Sequence, residues 1–156
     1  MTGRLLFVTL AALTARRLKD ALRTTDMIDV VNRLGIVYEE LPLPQRIMGF
    51  TGRMDKRSYI VVGRDMPRPW KRAVAFHELG HIQLHGHLPD HFFIVENTFF
   101  PVGRFEREAN EFAAAYLIPD KALSMHGNMR VAAAELQVPV ALFEFWRPPS
   151  KQREAL

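Results

Sequence analysis

Five residues, His77-Glu78-Leu79-Gly80-His81, constrain what this chain can fold into more than any other feature. They sit inside "AVAFHELGHIQLHGH", residues 73–87, which holds four of the six histidines. A helix makes the pattern coherent, because residues four apart lie one turn apart on nearly the same side and both imidazoles can bind one cation. Pro67 and Pro69 can open that helix and Gly86 and Pro89 end it, which predicts a span from about Trp70 to Leu84 or His85. Apolar Ala73, Val74, Phe76 and Ile82 are placed to anchor its opposite face. Two neutral imidazoles suit zinc, whose tetrahedral sites take nitrogen and carboxylate oxygen. Glu78 flanks the metal without needing to bind it, and can take a proton from an attacking water and return one to a leaving amine. The rival reading is a core helix whose histidines satisfy one another, and it leaves Glu78 unexplained.

A zinc hydrolase needs a third protein ligand and an open position for water. His87 lies ten residues after His77, the spacing of metzincins, but that pattern needs a turning glycine where this chain has Leu84. His85 is one turn beyond His81, and a rise of roughly 6 Å carries it away from a shared metal. His85 and His87 are therefore expected to line the cleft or end the helix, and His91 is weaker still. The acidic candidates lie in "FEREANEFAAAYLIP", where Glu106, Glu108 and Glu111 begin a second helix that could pack across the first. If Phe105, Ala109, Phe112 and Tyr116 form its buried stripe, Glu108 and Glu111 share the edge of that stripe and Glu106 faces solvent. A carboxylate from such a helix is the gluzincin solution. Glu108 is preferred, although helix geometry alone leaves the choice open.

The rest of the chain supplies a frame. With 156 residues, 48% hydrophobic and 24% charged, it is most simply one domain with its own core. Residues 1–25 are expected to hold an N-terminal helix (from about Leu5 to Arg23), 26–119 the catalytic core, and 120–156 further helices and a frayed tail. "TTDMIDVVNRLGI" reads as a helix capped by Thr25 or Asp26 and stopped at Gly35. "IVYEEL", "IMGFTGRM" (broken by Gly49 and Gly52) and "SYIVVGR" read as strands of a small, mostly antiparallel sheet. "HFFIVENTFFP" could add a short strand, Pro119 halts the glutamate-bearing helix, and Met129 to about Gln137 and "PVALFEFW" suggest further helical turns. The fold class is α+β, a single zincin-like domain.

Zero cysteines exclude a disulfide scaffold, a thiolate metal site and a cysteine nucleophile, and fit a reducing compartment. The apolar run Leu5 to Leu13 is too short to span a bilayer and is followed by Arg16-Arg17, so a cytoplasmic protein without a membrane partner is expected. The formal charge is +4, with Arg46, Arg53, Lys56, Arg57, Arg64, Arg68, Lys71 and Arg72 concentrated before the histidines. Such a patch could attract an acidic protein or nucleic acid, although direct nucleic-acid binding is not favoured.

"FHELGHIQLH" followed by "EREANEFAAAYLIP" resembles the ImmA/IrrE family of zinc metallopeptidases, with motifs of the form A-H-E-L-G-H-x-x-x-H and E-A-N-x-F-A-x-x-L-x-P. The likeness covers about Asp26 to Pro119; "DMIDVVNRLGIVYEE" and "YIVVGRD" are similar to the segments preceding the family's active-site helix. It implies His77 and His81 as zinc ligands, Glu108 as the third ligand and Glu78 as general base. It also implies cleavage of a helix-turn-helix repressor in phage, mobile-element or stress regulation. Phe76 stands in place of the family's alanine and Tyr116 in place of its leucine. The oxyanion donor is open among His85, His87, Tyr116 and Arg147, with burial in the core the plainer reading of Tyr116. An extended substrate is expected to pair with a sheet edge near "SYIVV". The rival functions are a regulator that binds a repressor or nucleic acid around a structural metal, and a toxin-antitoxin or defence component acting by complex formation.

Overall fold

A computed structural model describes residues 8–86, 93–96 and 103–148. Thr9 caps the first helix, α1 (Leu10–Leu22), its hydroxyl accepting from the Ala12 amide. The helix begins later than its apolar run suggests, and residues 5–7 lie outside the described ones. Asp26 caps α2 (Met27–Leu34), and Gly35 ends it in the left-handed region at φ 67°. Both termini follow the expected chemistry, an acceptor side chain for the first free amides and a residue without Cβ for the reversal.

Three strands follow, β1 (Val37–Leu41), β2 (Ile47–Met54) and β3 (Arg57–Gly63), and a fourth, β4 (Phe93–Glu96), comes after the histidine helix. The sheet order is β1-β3-β2-β4. β2 pairs antiparallel with β3 and β4, while β1 runs parallel to β3, so the sheet is mixed and mostly antiparallel. The β2–β3 hairpin turns through Asp55 and Lys56, both at positive φ, as a tight two-residue connection requires. Two expectations fail here. Gly49 and Gly52 do not break β2, which runs through both. "SYIVV" is no edge, because β3 is hydrogen-bonded on both sides; the edges among the described residues are β1 and β4. The burial of Ile60, Val61 and Val62 agrees with a central strand.

Across the sheet lies α3 (Arg68–His85), which carries the histidines. Gly49 explains how closely it packs: a Cβ there would stand 2.7 Å from Val74 Cγ1 and 2.8 Å from the Val61 carbonyl. The other side of α3 meets α4 (Arg104–Leu117), and α1 packs on α4 in turn. Phe76, Leu79, Phe112, Tyr116 and Leu117 fill the space between these helices. After Pro119 come α5 (Ala122–His126), which was not anticipated, α6 (Met129–Leu136) and a 3-10 turn at Val140–Phe145. Leu142, Phe143, Phe145 and Trp146 from this segment close one end of the core. No helix among the described residues is long and apolar enough to cross a membrane.

Candidate metal centre

His77, His81 and His85 rise along three successive turns of α3, and all three are buried. Their neighbour is the first part of α4, brought close by small residues. A Cβ on Gly80 would lie 3.1 Å from both Cα and O of Ala109 and 3.1 Å from Phe112 Cβ. The helices therefore approach nearly backbone to backbone at the level of the site. This crossing sets which face of α4 points at the histidines: Ala109, Asn110 and Ala113, with Glu106 one turn earlier.

Glu106, not Glu108, is consequently the carboxylate beside the histidine pair. Its two oxygens lie 3.1 Å from His77 Nε2 and 3.2 Å from His81 Nε2, and the two Nε2 atoms are 3.0 Å apart. These three side chains form a group that could hold a metal ion. Of the expected stripe, Ala109, Phe112 and Tyr116 are buried, while Phe105 is 40% exposed. Glu108 instead bonds His85 Nε2 at 2.9 Å and accepts from Arg104 Nε at 2.6 Å.

The hydrogen bonds around the pair favour a cation. Asn110 Oδ1 lies 2.6 Å from His77 Nδ1, so it accepts from that nitrogen and leaves Nε2 of a neutral ring with a bare lone pair. That lone pair meets His81 Nε2 and an acceptor-only carboxylate, a convergence that a divalent cation would satisfy. Burial pushes the His81 imidazole down to about 4 despite the carboxylate beside it, so it is neutral at pH 7. Burial alone would raise Glu106, but the imidazoles of His77 and His81 beside it hold it well below the usual carboxylate range. A neutral imidazole at His81 beside an ionised carboxylate matches the protonation states that metal binding requires.

Glu78 is fully buried, and neither of its carboxylate oxygens has a hydrogen-bond partner among the described residues. Burial, followed by the charge of Glu106, raises its pKa well above the ordinary value. A buried carboxylate left unpaired is costly unless something else approaches it. Its neighbourhood makes it the clearest candidate for handling a proton.

The other sequence candidates separate. His85 ends α3 as expected but turns inward, its Nδ1 lying 3.0 Å from His81 Nδ1. Tyr116 is wholly buried, packs on Phe76 with ring centroids 4.6 Å apart and donates to the Thr24 carbonyl at 2.9 Å. Burial pushes its phenol up to about 12, and its hydroxyl is committed to the α1–α2 connection rather than to a cleft. Arg147 donates to the Glu144 and Trp146 carbonyls near the C-terminal end. His87 and His91 lie outside the described residues. Asn110 was missed as a functional residue, although its place four after Glu106 was the signal that both share a helix face.

A protein-family model described as Peptidase_M78, IrrE N-terminal-like domain, matches residues 31–144. The chain is also similar to a Bacillus phage phi105 protein named "Uncharacterized immunity region protein 2", at 33% identity over 133 residues. The match covers 83% of this chain and 82% of the relative.

Proposed function

This chain belongs to the Peptidase_M78 family of IrrE N-terminal-like domains, and from that premise we propose that it is a zinc-dependent endopeptidase. Its substrate in this reading is a helix-turn-helix repressor, cut to relieve repression in phage or mobile-element immunity. The name of the phage relative supports the immunity setting. The observation that carries the chemistry is Glu78, buried with both oxygens unpartnered among the described residues, beside His77, His81 and Glu106.

His77, His81 and Glu106 would hold the ion, with Asn110 orienting His77 through its Nδ1–H. Zinc held there would supply Lewis-acid activation of the scissile carbonyl and of water. Glu78 takes the proton from the attacking water and delivers it to the amide nitrogen as the peptide bond breaks. Its dry surroundings make it a stronger base than a surface glutamate. Because the carboxylate accepts no bond from the surrounding described residues, it has no partner to surrender before the transfer.

The test is incubation of zinc-loaded chain with the helix-turn-helix repressor of the same genome, followed by intact-mass spectrometry. Two fragments whose masses sum to the repressor plus one water are expected, and none with Glu78→Gln. Equal cutting by both chains would remove Glu78 from the mechanism. A repressor that is bound but never cut would favour action by complex formation.

A further inference from the structure

Resting on this metal reading, we infer that His85 and Glu108 are positioning residues: a hydrogen-bonded chain from Glu108 through His85 fixes the tautomer and orientation of His81. The chain has three links. His81 Nδ1 lies 3.0 Å from His85 Nδ1, His85 Nε2 lies 2.9 Å from Glu108 Oε2, and Arg104 Nε donates to Glu108 Oε1 at 2.6 Å. It joins consecutive turns of α3 to a pair four residues apart on α4, so it also ties the two helices that make the site.

Donor and acceptor counting sets its direction. An ionised carboxylate only accepts, so the hydrogen between His85 and Glu108 sits on His85 Nε2. A neutral His85 then has a bare Nδ1. Two Nδ1 atoms at bonding distance need one hydrogen between them, and it must come from His81. His81 is thereby left with a bare Nε2, the atom that faces His77 and Glu106. The sequence of bonds thus aims the lone pair of His81 at the metal position. Phe105 packs its ring on His85, centroids 4.6 Å apart, which limits the orientations that His85 can take.

The same geometry separates Glu108 from the ligand set. Two positions along α4 rotate a side chain by roughly 200° relative to Glu106. The oxygens of Glu108 are engaged by His85 and Arg104, and Glu108 is absent from the group that converges on the metal position. The two histidine ligands consequently differ in support: a neutral amide, Asn110, holds His77, whereas an imidazole backed by a carboxylate holds His81.

The experiment compares full-length wild type, Glu108→Ala, Glu108→Gln and Glu106→Ala. The readouts are zinc affinity by chelator competition, the cobalt(II) absorption spectrum and long-range ¹⁵N spectra of the histidines. The Glu108 side chain is 28% exposed, so its replacement leaves the core intact, which metal-free melting checks. Glu108→Ala is expected to keep one metal per chain and a four-coordinate cobalt spectrum while binding zinc about 10–100-fold more weakly. Glu108→Gln, whose amide oxygen still accepts from His85 Nε2–H, should recover most of that loss. In zinc-loaded wild type the protonated nitrogens should be Nδ1 of His81 and Nε2 of His85, with the His85 preference lost in Glu108→Ala. Unchanged zinc affinity in Glu108→Ala, or complete loss of metal, would overturn the inference. Retained tight binding by Glu106→Ala would overturn the ligand assignment beneath it, a failure distinguishable from either Glu108 result.

Discussion

Gly80→Ala tests whether the approach of α3 to α4 builds the metal centre. The added methyl would stand 3.1 Å from Ala109 Cα, Ala109 O and Phe112 Cβ, where ordinary contact begins near 3.4 Å. Two of those atoms are backbone, so relief requires the helices to part by a few tenths of an ångström. Two energies oppose each other. Alanine favours a helix interior over glycine by about 1 kcal/mol, while overpacking a filled core costs about 1–3 kcal/mol. The metal-free chain should therefore range from near-neutral to about 2 kcal/mol less stable. The metal reports the displacement more sharply. Ligand distances tolerate only about 0.2 Å, and Glu106 moves with Ala109 on the same helix, one turn away. We expect zinc affinity to fall at least about tenfold, equivalent to about 1.4 kcal/mol, beyond any loss in metal-free stability. Zinc competition and thermal melts with and without chelator measure the two quantities separately, and the melting-temperature gain on adding zinc should shrink. A variant that folds as stably as wild type and binds zinc as tightly would refute the idea that this spacing sets the site.

Glu78→Gln should retain zinc yet lose about 10²–10⁴-fold in kcat/KM, the usual contribution of a general base. The same substitution should stabilise the metal-free chain near neutral pH. Because the folded-state pKa of Glu78 is raised, its protonated form contributes stability that is full below the unfolded pKa and lost as pH rises through the folded one. The advantage of Glu78→Gln in denaturant melts should thus shrink towards pH 4.5 and below. His81 acts in the opposite sense, with a pKa pushed down to about 4 from the ordinary 6.5. The unfolded chain binds this proton first, so metal-free stability should fall between pH 6.5 and 4, by up to about 3 kcal/mol; a flat profile in the Glu78→Gln background would contradict the assignment. Tyr116→Phe removes a bond to the Thr24 carbonyl and should cost about 1 kcal/mol in denaturant melts. Its peptidase activity should be unchanged, whereas a large fall in kcat would return the phenol to the active site.

The histidine helix was legible because its signals are local. Prolines at its start, Gly86 at its end and four-residue spacing in between are properties of one segment. The helix caps at Asp26 and Gly35 were legible for the same reason. Pairing was harder: the hydrophobic pattern of "SYIVVGR" marked a strand, yet its central position depends on β1 lying parallel to it across an intervening hairpin. The choice among acidic residues turns on the same kind of non-local fact. Phe105, Ala109, Phe112 and Tyr116 suggested one buried stripe, and the last three are buried, but the close approach of Gly80 to Ala109 and Phe112 turns Glu106 towards the His77–His81 pair. That rotation exchanges the surroundings of Glu106 and Glu108. The motif in the sequence marks the turn of α4 that meets the histidines, and only the packing of two helices sets which position within it faces them.

Metal content after expression in zinc-supplemented medium tests the central claim most directly. Wild type and Glu108→Ala should each carry one zinc per chain, the latter more weakly held, and Glu106→Ala should carry none while still folding. Full zinc occupancy in Glu106→Ala, with loss from Glu108→Ala, would contradict the site built here from His77, His81 and Glu106.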